Sequence, residues 1–364
     1  MIFINGLGAV SPQPNAGSGQ FPFEFTKYDG NQLRCPDPGY KEFIPGDQIR
    51  RMGRVIKMGV TAAKLCLRDA AHVTGFTSGP ECPEIIPEAI ITGTGMGCME
   101  DTEKFLATMI RNNEEFLTPT SFIQSTHNTV AGQIALLLKC HGYNFTYVHR
   151  GFSFENALLD AMVQLRSGSV SNVLAGGSDE LTPAYFSITS RLGHWKRKPV
   201  GNDRLLEDHQ RGSVAGEGAT FFFLQKEGTH NSYARLRDVR TLLKPGSDEK
   251  TGRYLLQMLQ ENEIAPADID LVVAGFNGDP GSDAIYRNVI AASLPGSAIA
   301  LYKHLCGEYQ TSTAFATWFS AMMIRHRIFP EFALLTPPPV NLRNILIYNH
   351  YLHVNHTFIL LSAP

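Results

Sequence analysis

YNFTYVHRGFSFENALLDAMVQLRSGSVSNVLAGG, residues 143–177, combines an extended segment from Tyr143 to Val148, a helical pattern from about Ser153 to Arg166, and a second apolar run from Asn172 to Ala175 that enters Gly176-Gly177. The order predicts one β-α-β unit. Its first turn, His149-Arg150-Gly151, is where such a unit presents chemistry, because the free N–H groups and positive dipole end of the helix point there. A cysteine in that place would be favoured as thiolate. The residue in this chain is Gly151.

Outward from this unit the alternation continues in both directions. Toward the amino terminus lie a first strand (MIFINGLGAV), a Pro/Gly-rich stretch from Ser11 to Gly46, and an amphipathic helix beginning near Gln48 with a face of small residues. A loop carrying Pro80, Pro83 and Pro87 leads to a strand, Ala89 to Thr92, and a helix runs from Asn128 to Lys139. On the carboxyl side, Gly216-Glu217-Gly218-Ala219 precedes the strand Thr220 to Leu224. From Asn231 the pattern restarts: strand 233–243, helix 249–262, strand 271–274, helix 283–292, strand 298–302, helix 312–327, and two final strands, 345–348 and 357–361. The repeat of element order predicts an α/β protein with internal duplication, in halves 1–230 and 231–364.

Composition fits a globular protein of 364 residues: 43% hydrophobic, 18% charged, formal net charge -2. That balance argues against nucleic acid and membrane partners. Six cysteines without a C-x-x-C pair suggest reduced thiols, with neither a zinc site nor a disulfide framework. The amino terminus has no basic leader, so a cytoplasmic location is expected. Gly93-Thr94-Gly95-Met96-Gly97 invites a dinucleotide reading, but the sixth place of G-x-G-x-x-G is Cys98, and close helix packing explains the glycines better. Glu207-Asp208-His209 cannot converge on one ion from consecutive positions. No cofactor and no metal are expected. Trp195-Lys196-Arg197-Lys198 is expected as a solvated basic loop, or as a docking spot for an acidic carrier.

Taken in order, several fragments resemble the β-ketoacyl synthases of the thiolase superfamily. INGLGAVSP (4–12) resembles that family's first strand and turn, RRMGR (50–54) its early helix, and NTVAGQIAL (128–136) the helix before the nucleophile. LRSGSVSNVLAGGSDE (165–180) resembles the strand after it, and GSVAGEGATFFFL (212–224) is similar to the family's GFVMGEGAG segment. Residues 303–330 look like its K-S-x-x-G-H stretch and following helix. The resemblance implies a thiolase-like fold, with two β-α-β-α-β-α-β-β halves in a layered α-β-α-β-α sandwich, and a dimer.

It also implies a reacting set of one cysteine and two histidines. Counted from the matched flanks, the cysteine falls on Gly151, the first histidine on Gly275 and the second on Glu308, while the lysine is kept as Lys303. The family's Gly-Phe-Gly-Gly loop corresponds to Asn349-His350-Tyr351-Leu352-His353, too bulky for the usual oxyanion-holding conformation. Loss of one member of a set that acts as a unit costs about as much as loss of all, on the order of 10⁴-fold. Condensation by this chain alone is therefore not expected, and no catalytic residue is assigned to it.

Two roles remain. One is a non-catalytic subunit similar to a chain-length factor, paired with an active ketosynthase or with itself, with an acyl carrier protein as a further partner. The other is a divergent decarboxylase or acyltransferase acting on carrier thioesters through Glu308 and Lys303, with His149 or His304 as base or Cys306 as a displaced nucleophile. Set against that second role, His149 and His304 have structural readings, Cys306 that of a buried small residue, and Glu308 that of an ion-pair partner for Lys303. Arg150, beside Gly151, is expected to hold a backbone or carboxylate group.

Overall fold

The computed structural model describes residues 1–14, 21, 23–76, 85–117 and 119–364. Cys82, Pro80 and Pro83 lie outside the described residues. Ten strands form one mixed sheet. The first five are β1 (Phe3–Val10), β2 (Ala89–Gly93), β3 (Tyr143–Tyr147), β4 (Asn172–Asp179) and β5 (Gly218–Gln225). The second five are β6 (Ala234–Leu243), β7 (Leu271–Ala274), β8 (Ala298–Leu301), β9 (Asn344–Tyr351) and β10 (Asn355–Ser362).

Within each set the spatial order is the same. The first runs β3-β2-β4-β5-β1 and the second β8-β7-β9-β10-β6. In both, the first three strands named are parallel and the last two pairings antiparallel. The sets meet at β1 and β6, which pair only at Phe3↔Arg235 and Ile4↔Ala234. A junction this short leaves the two five-stranded portions free to turn their inner faces toward each other.

What fills the space between them is set by sequence. Among the principal helices are α1 (Arg54–Thr74), α2 (Met99–Arg111), α3 (Thr129–Leu138), α4 (Ser153–Ser167), α5 (Pro183–Arg191), α6 (Asp248–Glu261), α7 (Pro280–Ser293) and α8 (Ser312–His326). Helix α8 is buried from Ser312 to Ile324, and its only charged or titratable residues, Arg325 and His326, sit in its last turn, where the helix dipole favours cations. It packs with α4 against strands of both sets, and Phe154, Phe222, Phe315, Phe319, Ile345 and Ile359 belong to this shared core. Each such side chain contributes about 1.5–3 kcal/mol on burial. Helices α1 and α3 cover the outer face of the first set, and α6 and α7 that of the second. The layers run α-β-α-β-α.

Helix α1 lies unusually close to β1. A Cβ added at Gly8 would fall 2.1 Å from the Ala62 carbonyl oxygen, and one at Gly6 2.6 Å from Ala70 Cβ. The glycines of the first strand are therefore a packing requirement. Helices α2 and α5 and the short helix Pro119–Ser125 are additions to the elements read from the sequence, although α2 is amphipathic and α5 has a Thr182 N-cap. Among the described residues, no helix is long and apolar enough to cross a membrane.

Candidate functional site

Gly151 sits in the 3-10 turn Arg150–Phe152 immediately before α4. The turn is locked from both sides: His149 N–H donates to Ser153 Oγ at 2.8 Å, and Ser153 Oγ donates to the Arg150 carbonyl at 2.8 Å. The helix amino terminus is thus placed as the β-α-β reading predicts. A Cβ on Gly151 would lie 2.5 Å from Tyr351 Cβ and 3.0 Å from its Cγ, so a tyrosine fills the space a nucleophile would need. Arg150 takes a left-handed φ of 53° and is exposed, and among the described residues its side chain holds neither of the expected partners, a backbone or a carboxylate group. The backbone points its side chain outward.

The first histidine position, Gly275, is filled in the same manner. A Cβ there would meet Asn349 Oδ1 at 2.4 Å, the Tyr286 hydroxyl at 2.6 Å and Lys303 Cε at 3.1 Å. Asn349 Oδ1 accepts from Tyr302 at 2.9 Å and from Tyr286 at 3.2 Å, and the His350 ring stacks on Tyr286 at 4.3 Å. Burial, then the neighbouring Lys303, His356 and His353, holds His350 well below the usual histidine range. Asn349, Tyr286 and Lys303 thus occupy the space that a histidine side chain would need at this position.

Glu308 and Lys303 form a buried ion pair, Oε2 to Nζ at 2.5 Å, with Asn277 Nδ2 donating to the same oxygen at 2.9 Å. Lys303 is wholly buried. Removing two charges from water is costly, and their mutual contact offsets that cost only while both partners are present. Glu308 Oε1 has no partner. It borders a pocket of about 190 Å³ lined by His194, Trp195, Ser213, Asn277, Ser282, Tyr351 and His353, among others.

The remaining sequence candidates are set apart from any reacting arrangement. Cys306 is fully buried, its thiol pushed up by burial and bonded to the Gly307 carbonyl at 3.3 Å. His304 is buried against Phe25, and that burial brings it down to about 4. His149 is exposed, contacts Asn156 Nδ2 at 3.0 Å and packs edge-on against Phe152.

The glycine loop after β2 is occupied from within. Asp179 Oδ1 accepts from Thr94 Oγ1 at 2.9 Å and from the N–H groups of Gly95 at 2.8 Å and Met96 at 3.2 Å. These amides are spent on an internal carboxylate. The basic cluster is corrected in part: Trp195 and Lys196 are buried, and Lys196 Nζ donates to the carbonyls of Gln210 and Gly278, each at 2.9 Å, leaving Arg197 and Lys198 as its solvated part. An ammonium surrounded by carbonyl oxygens satisfies its charge without solvent. Asp208 belongs to this arrangement, 3.5 Å from Lys196.

Sequence reasoning missed Tyr351 as the residue that fills the nucleophile position, although it had flagged its loop as too bulky. It missed Tyr286 and Asn277 altogether. Nothing in the local pattern marks a residue 200 positions away as the neighbour of Gly151.

Comparison with known proteins agrees with this geometry. The family model of the β-ketoacyl synthase N-terminal domain matches residues 30–230. The tetracenomycin polyketide synthase ketoacyl synthase beta subunit of Streptomyces glaucescens is 23% identical over 265 residues, which is 68% of this chain and 62% of that protein. The chain thus aligns with somewhat under two thirds of that relative's length. Two solved structures share the fold across 100% of this chain. The ishigamide ketosynthase/chain length factor superposes with a TM-score of 0.80 at 18% identity, covering 99% of that chain. The ketosynthase ApeO in complex with its chain length factor ApeC, from Xenorhabdus doucetiae, gives 0.75 at 14% identity, covering 98%.

Proposed function

Because this chain belongs to the β-ketoacyl synthase family, we propose that it is the non-catalytic member of a ketosynthase pair. It stabilises an active Cys-His-His subunit and shapes the end of that subunit's acyl tunnel, in cytoplasmic biosynthesis of a fatty acid, polyketide or aryl polyene. The observation that carries the proposal is the filling of the nucleophile position: Tyr351 against Gly151, with Asn349 and Tyr286 against Gly275. A site merely lacking its cysteine could regain it by one substitution. This one is packed.

We assign the pairing surface to the sheet edge beside the same turn. Strand β3 is one of the two terminal strands of the sheet and, among the described residues, pairs only with β2. It exposes Tyr143 and Phe145, stacked at 6.2 Å. An exposed edge strand with apolar side chains is normally covered in a working protein. Ile110, Phe116, Phe122 and Ile123 add further exposed apolar side chains in the segment before α3. A second ketosynthase-fold chain is the partner that suits this edge, and the division of the chain into halves 1–230 and 231–364 belongs to the same proposal. Arg197 and Lys198 would meet an acidic acyl carrier protein.

The rival role, catalysis through Glu308 and Lys303, has less support, since the two groups engage each other at 2.5 Å. Coexpression with an active ketosynthase encoded beside this chain, followed by mass measurement of the intact complex, tests the proposal. A one-to-one complex and an unstable isolated chain are expected. A stable isolated chain with malonyl decarboxylase activity that disappears in Glu308→Ala would overturn it.

A further inference from the structure

The pocket of about 190 Å³, which shares Glu308, Asn277 and Tyr351 with the filled condensation site, also brings together groups that the proposed pairing role does not use. Ser282 Oγ lies 2.8 Å from His353 Nε2, within the range expected of a nucleophile and its base. Ser282 is buried in the first turn of α7, anchored because Asp279 Oδ1 accepts from the N–H groups of Gly281 and Ser282, each at 3.0 Å. His353 is held in the tight turn between β9 and β10. Both it and Leu352 adopt left-handed φ values, 59° and 52°, which non-glycine residues take only where the surroundings enforce them. Asp279, the N-cap of α7, lines the same pocket. Two further lining atoms, Ser213 Oγ and His194 Nδ1, have no partner.

We propose that Ser282 and His353 form a nucleophile–base pair that hydrolyses short, uncharged acyl thioesters in this pocket. Ser282 Oγ attacks the acyl carbon as its proton passes to His353 Nε2. The oxyanion is met by the Ser213 hydroxyl and by His194 in its Nδ1–H tautomer. Collapse breaks the carbon–sulfur bond, and the thiolate leaves with the proton from His353. Water then attacks the seryl ester, gives its proton to His353, and the carbon–oxygen bond breaks to return Ser282 and release the free acid. The pocket holds about six volumes of liquid water at ~30 Å³ each. A short acyl group fits within that space. The partner-free Glu308 Oε1 at the wall disfavours an anionic acyl group such as malonyl.

The full chain, or its complex if it copurifies with a partner, is treated with a fluorophosphonate probe, and the labelled peptides are identified by mass. Hydrolysis of p-nitrophenyl butyrate and of the butyryl thioester of N-acetylcysteamine is measured alongside. Label on the peptide carrying Ser282 is expected, with hydrolysis falling on the order of 10²-fold or more in Ser282→Ala and in His353→Gln, and little further in the double variant. Absence of label at Ser282 in the wild-type protein, or undiminished hydrolysis in a folded Ser282→Ala, overturns the proposal. Should the variants fail to fold, the site of wild-type labelling alone decides it. The peptide mass separates this chain from any partner, so the outcome is independent of whether the pairing proposal holds.

Discussion

Tyr351 stands where a side chain on Gly151 would go, with only 2.5 Å between its Cβ and the position a Cβ on the glycine would take. Glycine at the head of α4 and tyrosine at the end of β9 are therefore one feature. The turn that follows β9, matched by sequence to the family's glycine loop, thus begins with a side chain packed onto the Gly151 position.

This contact predicts that Gly151→Cys alone will not restore condensation. Overpacking should instead destabilise the protein by about 1–3 kcal/mol in denaturant unfolding. Gly151→Cys combined with Tyr351→Gly should recover much of that loss, giving a coupling energy of about 0.5–3 kcal/mol. Additive effects of the two changes would show that the residues do not share the space.

The Lys303–Glu308 pair predicts a strong asymmetry. Lys303→Met leaves the Glu308 carboxylate buried without its cation and should cost about 3–5 kcal/mol, whereas Lys303→Met with Glu308→Leu should restore most of the stability. Equal loss in the single and double variants would argue that packing alone matters at this site.

Glu155 supplies a pH dependence. It lies wholly buried on α4, accepts from Thr313 Oγ1 at 2.7 Å, and burial raises it from 4.5 to about 7 despite that bond. Because the folded value is the higher one, its contribution is fully present below about pH 4.5 and is lost as pH rises through about 7. The loss amounts to about 3 kcal/mol at 1.36 kcal/mol per unit. The stability of the wild type relative to Glu155→Gln, from denaturation midpoints measured at pH 5 to 8, should fall as pH rises; taking the difference cancels the shared contributions of Glu180, His304, His350 and His356.

The exposed aromatic pair on β3 predicts that Phe145→Lys will abolish copurification with an active ketosynthase. Far-ultraviolet circular dichroism and the unfolding midpoint of the isolated chain should change little, since a surface substitution away from special features usually costs within ~0.5 kcal/mol. Retained pairing would move the interface elsewhere.

Much of the architecture was legible in the chain because periodicity is a local property. Nearly every strand and helix read from alternation and helical spacing occurs, within a few residues of the expected bounds. Helix α8, apolar on all sides, announced its place in a central layer. The departure from the reacting set was visible too, as residues of the wrong type at Gly151, Gly275 and Glu308.

What the residue string alone determined was thus the order of elements and which chemistry is missing. Tertiary structure alone decided how the gaps are filled: Tyr351 against Gly151, Asn349 and Tyr286 against Gly275, Ser282 within reach of His353. Apart from Tyr286, which lies 11 residues from Gly275, these partners are about 70 to 200 residues apart in the chain. Their meeting depends on two repeated sheets closing over shared helices, and close packing between distant segments leaves no periodic trace in sequence.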